Sequence, residues 1–290
     1  MRILLQQLVL GLLLGGLYGL AAAGLSLIFG VLKVLNVAHG ELIMVGGYVA
    51  FWLFALLGLD PFVSLLLVIP LSAALGLGLY GAVFGFVVRL DEETRIKNSL
   101  LVGFGLALTL HALAVRLWTA DERSITTAYG GQAIVVGGLV LPLARLLSLG
   151  VALALIALTH LFLSRARWGQ AIRATAEDWE AASLLGIDVR RAYLLAFAIG
   201  TGLAGAAGSL VSVGHSISPA IGLEWTLKAL IVIVLAGLGS AFGTFVGGLV
   251  LGLAEAASAT AFGGPYREVV GLLLFFCVLI ARPQGLFGRP

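Results

Sequence analysis

Apolar residues run along this chain in long uninterrupted blocks rather than in alternation. No Asp, Glu, Lys or Arg occurs in Ile3–Leu32, Leu42–Leu59, Pro61–Val88, Asn98–Val115, Leu146–Ser164, Ala192–Leu223 or Ala229–Ala254. A helix that crosses a bilayer needs roughly 20 mostly apolar residues. Each block is long enough for one, and the period-two alternation of a barrel strand is absent. The pattern therefore predicts an all-α, polytopic integral membrane protein with about eight transmembrane segments, some of them broken or re-entrant. The expected segments lie near Leu5–Leu32, Gly40–Leu57, Pro61–Val88, Ser99–Thr119, Val140–Leu163, Ala192–Val213, Trp225–Leu238, Ser240–Ala261 and Arg267–Ala281. Trp225–Leu238 is short for a span, so it and the next segment form either two crossings or one broken, re-entrant pair.

Composition supports the class. Of 290 residues, 61% are hydrophobic and 11% charged, against about 25% charged in an average soluble domain. Mean hydropathy is +1.13. A single soluble helical core would have to hide seven separate uncharged runs, which does not suit such a fold. The first block also has leader-like features, with Arg2 ahead of it and Ala21-Ala22-Ala23 within it. It is too long for a typical leader core and reads as the first helix. One cysteine, Cys277, leaves no disulfide framework or cysteine metal cluster to expect. The 40 glycines, several at four-residue spacing (Gly11, Gly15 and Gly19; Gly81 and Gly85; Gly243 and Gly247; Gly248 and Gly252), suggest close helix packing.

The basic residues orient the chain. Arg165, Arg167, Arg173, Arg190 and Arg191 crowd the segment 164–191, and Arg89, Arg95 and Lys97 fill another polar linker. The positive-inside rule places both in the cytoplasm, with Arg282 and Arg289 at the same face and 120–139 outside. One unbroken first helix would put Met1 outside, and a re-entrant first region would put it inside.

Four features carry candidate chemistry. Between Arg165 and Arg191, Ile172, Ala176, Trp179 and Ser183 form a mostly apolar helical stripe, flanked by Arg173, Glu177, Asp178 and Glu180. Gly186 is a natural stop, and Asp188 can cap the next helix. Such a helix either lies on lipid or enters a groove on a cytosolic partner; its acidic centre favours the partner. Second, Asn36-Val37-Ala38-His39-Gly40-Glu41 is a polar break between two apolar runs. It is either part of a pathway or a short inside loop with Asn36 and Glu41 in water. Third, Gly237, Gly239, Ser240 and Gly243 interrupt an apolar stretch, either as a tight turn or as the broken helix that lines transporter pathways. Fourth, His111, Arg116, His160, His215, Lys228 and Glu255 stand singly among apolar residues. Glu255 lies deep in its run and either pairs with Lys228 or faces a polar path. No phosphate-binding loop, zinc-protease motif or Ser/His/Asp set occurs, so any ATP chemistry must come from another subunit.

Three ordered blocks resemble the permease subunits of branched-chain amino acid ABC importers, of the LivH type more than the LivM type. They are Gly30 to Tyr48, similar to N-x-A-H-G-E-x-x-M-x-G-x-Y; Gly169 to Ile187; and Lys228 to Gly252, closing with Arg282 to Gly288. Glu180-Ala181-Ala182 followed by Gly186 is similar to the E-A-A-x-x-x-G pattern of ABC-importer permeases, although the I-x-L-P element of that pattern is not evident. The resemblance spans nearly the whole chain, which then reads as one permease domain over 1–290. It implies a coupling loop at about 164–191, with contacts to an ATPase from Arg173, Glu177, Asp178, Trp179, Glu180, Ala181, Ala182 and Gly186. A translocation pathway is expected near Asn36, His39, Gly40, Glu41, Gly237, Gly239, Ser240, Gly243 and Glu255. It further implies ATP-binding cassette subunits that carry ATP and Mg, a LivM-like chain or a second copy as permease mate, and an extracytoplasmic binding protein. The expected location is a prokaryotic inner membrane, with lipid and no nucleic acid as surroundings. Urea, amides and other amino acids stay open as cargo. A passive channel or ion-coupled carrier is the competing class, with an ion site on Glu255, Glu41 or His39. An intramembrane enzyme would need an acid–base or metal set that the sequence does not supply.

Overall fold

The computed structural model describes residues 2–237, 239, 241–282 and 284–287. Ser240, expected on the pathway, lies outside them, as do Leu238, Pro283, Gly288 and Arg289. The order is α1 (Arg2–Leu32), α2 (His39–Leu57), α3 (Pro61–Leu79) prolonged by a π-helical turn (Tyr80–Phe84) and α4 (Gly85–Val87), then α5 (Glu92–Trp118). A hairpin of β1 (Ala133–Val136) and β2 (Leu139–Pro142) precedes α6 (Leu143–Arg165), α7 (Arg167–Glu177), α8 (Trp179–Leu184) and α9 (Val189–Ser212). The chain closes with α10 (Ile221–Ala236), α11 (Ala241–Ala261), a 3-10 turn (Gly264–Tyr266) and α12 (Arg267–Ala281). Among the described residues, eight helices are long and apolar enough to cross a bilayer. At 16 residues, α10 is not one of them: it reaches about 24 Å, less than the ~30 Å hydrocarbon core.

Local chemistry sets the ends of these helices. Asp60 accepts a hydrogen bond from Phe62 N at 2.9 Å ahead of Pro61, starting α3. Asp91 caps α5 through Thr94 N at 3.0 Å; that bond holds the Asp91 carboxyl below the usual carboxylate range. The C-terminal carbonyls of α10 are taken up by the chain end, with Leu286 N donating to Leu235 O at 2.8 Å and Phe287 N to Ala236 O at 3.0 Å.

α1 and α9 form the buried centre, packed against each other and against α2, α10 and α11. The outer faces of α3, α5 and α12 expose Leu66, Leu101 and Ile280, as lipid-facing helices do. The glycine spacing on α1 and α11 has a direct use. A Cβ on Gly15 would sit 2.7 Å from Gly248 O, and one on Gly11 would meet Gly252 and Ala256. Two backbones therefore touch along this seam. Gly81 and Gly85 do not serve the same purpose: Gly81 faces open space and Gly85 faces Tyr80 in its own turn.

Two local expectations are corrected. Val140, expected to open α6, instead lies in Leu139–Pro142, which pairs with Ala133–Val136 through a turn at Gly137 and Gly138, both at positive φ. Two adjacent glycines supply the conformation such a tight hairpin needs. The amphipathic loop helix is also two helices. Asp178, at φ −155, leaves the helical region and its Oδ1 accepts from Glu180 N and Ala181 N, both at 2.9 Å, starting α8 afresh. The stripe is thereby split: Ile172 is buried, while Trp179 and Ser183 are exposed.

The two faces separate cleanly. Lys33, Arg89, Arg95 and Arg190 line one cavity with Glu177 at the end carrying α7 and α8, the end that the positive-inside rule assigns to the cytoplasm. At the opposite end, Gln6 Nε2 donates to Val140 O at 2.6 Å and Gln6 Oε1 accepts from Val140 N at 2.8 Å, so α1 starts beside the external hairpin.

Candidate translocation and coupling sites

The break between α1 and α2 is buried. Val34, Asn36 and Ala38 are fully enclosed and Glu41 is 3% exposed, so this is not a short loop with Asn36 and Glu41 in water. His39 lies beside Ala21 of α1, whose carbonyl accepts a hydrogen bond from His39 Nε2 at 2.9 Å. A carbonyl only accepts, so Nε2 carries the proton. The stretch of α1 from Ala21 to Leu32 rises about 16 Å. The chain thus climbs back from the cytoplasmic end to mid-membrane before α2 begins.

Irregular backbone is tolerated at that depth only when protein groups satisfy it. Leu35 N donates to Ser99 Oγ at 3.0 Å, Ala38 N to Asn36 Oδ1 at 3.1 Å and Arg95 Nη1 to Leu32 O at 3.2 Å. Thr226 of α10 closes the joint: its Oγ1 accepts from Gly40 N at 2.9 Å and lies within donor reach of Val37 O at 3.1 Å and Gly222 O at 3.0 Å. A Cβ on Gly40 would overlap the Gly222 carbonyl, and one on Gly222 would overlap the Glu41 carboxyl. Asn36 Nδ2, His39 Nδ1 and Glu41 Oε2 are buried without a hydrogen-bond partner. Asn36, His39, Gly40 and Glu41 thus come together where α2 meets α10.

Glu255 belongs to a different cluster. Its Oε1 lies 2.5 Å from Lys228 Nζ, with side-chain exposures of 1% and 5%. Its Oε2 accepts from Tyr18 OH at 2.9 Å and lies 3.9 Å from Arg267 Nε. Lys228 also stands 5.7 Å from the Tyr18 ring centre, and Trp225 meets Tyr18 edge-on at 5.4 Å. This cluster floors a cavity of about 730 Å³, whose upper wall includes Glu122, His215 and Ser216 from the external loops. Burial, then the nearby charge of Arg145, push the His215 imidazole below its ordinary value.

Gly237 and Gly239 take φ of 89° and 90° at the cytoplasmic end of α10. Gly30 approaches Gly239 there, and Gly243 is buried in the first turn of α11. The glycine interruption is therefore well removed from Glu255.

At the cytoplasmic face, α8 is a short projecting turn. Leu184 and Leu185 are 90% and 83% exposed, and Trp179 is 48% exposed. Ala182 is buried and anchors the turn; Ile187 N donates to its carbonyl at 3.0 Å. Gly186, at φ 81°, ends it, and Asp188 caps α9 through Arg191 N. Arg173, Glu177, Asp178, Glu180 and Ala181 surround this projection on α7, α8 and the joint between them. Sequence reasoning missed Tyr18, Thr226, Trp225, Arg267 and Ser99. Arg267, a lone cation bordering an apolar run, was the one visible signal.

Comparison with known proteins gives the class. The family model described as the branched-chain amino acid transport system / permease component matches residues 7–280. The chain is 34% identical to the high-affinity branched-chain amino acid transport system permease protein BraD of Pseudomonas aeruginosa, over 99% of this chain and 96% of that one. It is 33% identical to LivH of Escherichia coli K12 over the same shares. The chain belongs to the branched-chain amino acid transport permease family, as a multi-pass membrane subunit. A solved structure, PsaBC from Streptococcus pneumoniae in complex with Fab, aligns with TM-score 0.50 and 14% identity over 94% of this chain and 91% of that chain. That likeness concerns the fold alone.

Proposed function

We propose that this chain is one of two membrane-embedded permease subunits of an ATP-driven importer for branched-chain amino acids, set in a prokaryotic inner membrane. The observation that carries the reading is the projecting α8, with Leu184 and Leu185 exposed ahead of Gly186 at the cytoplasmic face. Exposed leucines on a short rigid turn suit a groove on a partner. The partner is an ATP-binding cassette subunit carrying ATP and Mg, since this chain has no phosphate-binding loop of its own. A LivM-like permease or a second copy completes the pair, and an external binding protein delivers the cargo. The names of BraD and LivH support the substrate class.

Nucleotide-driven movement of the ATPase reaches α8, then α7 and α9, which pack on it. The joint of α2 with α10 and the glycine end of α10 are the elements that rearrange to give alternating access. The test is co-purification and uptake with Glu180→Lys combined with Gly186→Trp. ATP-driven uptake is expected to be lost while the chain still inserts. Unchanged uptake overturns the docking role.

A further inference from the structure

The external cavity is lined by charges of both signs and by apolar side chains. Its floor is already neutral, because Glu255 is taken by Lys228 and Tyr18. Further charges of both signs line it. Arg267 is 40% exposed, and its Nε is buried without a hydrogen-bond partner, 3.9 Å from Glu255. Glu224, in the first turn of α10, is exposed to the same cavity, and Glu268 lies beside Arg267. Trp225, Leu14 and Ile221 line the same cavity. A volume of about 730 Å³ falls within the usual range of small-molecule sites, roughly 300–1,000 Å³.

A cleft lined by one sign of charge draws ions of the opposite sign. Here a partly exposed guanidinium, held only by a long 3.9 Å ion-pair contact with Glu255, and an exposed carboxylate share one cavity. We propose that this cavity is a receiving site for a zwitterionic amino acid, with Arg267 taking the α-carboxylate, Glu224 the α-ammonium, and Trp225 with Leu14 and Ile221 the aliphatic side chain. A guanidinium pairs a carboxylate through two parallel N–H donors. Tyr18 and Lys228 act as positioning residues: each holds one Glu255 oxygen, which leaves Arg267 only a long 3.9 Å contact with that carboxylate. The inference rests on the substrate reading proposed above and adds where the cargo is met once the binding protein releases it.

The test is uptake of radiolabelled leucine by proteoliposomes holding the complete importer and its binding protein. Arg267→Gln and Glu224→Gln are each expected to lower uptake at least tenfold, while Arg267→Lys and Glu224→Asp keep a substantial part. Equal recovery of all subunits with each variant separates loss of binding from loss of assembly. Because Glu224 is exposed, its neutral variant remains informative if Arg267→Gln assembles poorly. Normal uptake by both neutral variants, in an importer whose wild type transports leucine, overturns the site alone. Neutral variants that lose the partner permease also overturn it, because the charges then serve a subunit contact. A wild-type importer that moves no zwitterionic amino acid overturns the substrate reading, and the site with it.

Discussion

Gly40 has no space for a methyl group. The Gly222 carbonyl and Thr226 Oγ1 stand where a Cβ would lie. Gly40→Ala must therefore push α2 away from α10, and overpacking of this kind costs about 1–3 kcal/mol. A lower unfolding temperature in detergent is expected, with a further loss of uptake because the same joint is asked to move. Lys228 and Glu255 make the second residue-scale prediction. Removing one member of a buried ion pair costs about 3–5 kcal/mol, because it strands the other charge. Lys228→Met alone is expected to destabilise strongly, and Lys228→Met with Glu255→Gln to recover most of the loss, as read by thermal unfolding of the purified chain. Equal instability of single and double variants would contradict the pairing. The sequence made this pair visible as two lone charges in apolar runs. Tyr18 was silent, because a phenol within the α1 run resembles any other aromatic. The burial of Asn36 and Glu41 was equally hidden: it depends on Ser99, Arg95 and Thr226, which are remote in sequence.

Among elements, α8 is the sharpest case. It exists apart from α7 because Asp178 caps it. Asp178→Ala removes that cap, worth about 1 kcal/mol in a typical helix, and α8 is a short helix of six residues. Reduced ATPase co-purification and slower uptake are expected from that change. Leu184→Glu with Leu185→Glu is expected to abolish co-purification while leaving insertion intact. Retention of the ATPase by both variants would exclude α8 as the contact. The break at Asp178 was not legible because spacings of four, three and four fit one helix as well as two, and an Asp on a polar face gives no sign that it will cap. The glycine seam was legible on α1 and α11, where Gly11, Gly15, Gly248 and Gly252 meet. The same spacing at Gly81 and Gly85 fell on a π-helical turn instead. Spacing reports a small-residue face but not whether another helix covers it.

For the whole molecule, the charge-free blocks located seven of the eight long helices among the described residues, because the bilayer imposes length and apolarity together; α12 lies beyond the last block. They missed the external hairpin, whose short strands carry no such constraint, and they left the path of 33–38 undecided. The chain emerges as a buried centre of α1 and α9, an external cavity lined by Lys228 and Tyr18, and the projecting α8 at the opposite face. The claim that joins these parts is that movement of cargo depends on a separate ATPase. The most direct measurement is leucine uptake into proteoliposomes holding the permease pair, with and without the ATP-binding cassette subunits, with binding protein outside and ATP at the face carrying α8. Uptake is expected only when ATPase, ATP and binding protein are all present. Leucine accumulation by the permease pair alone, or driven by an ion gradient without the ATPase, would contradict the account.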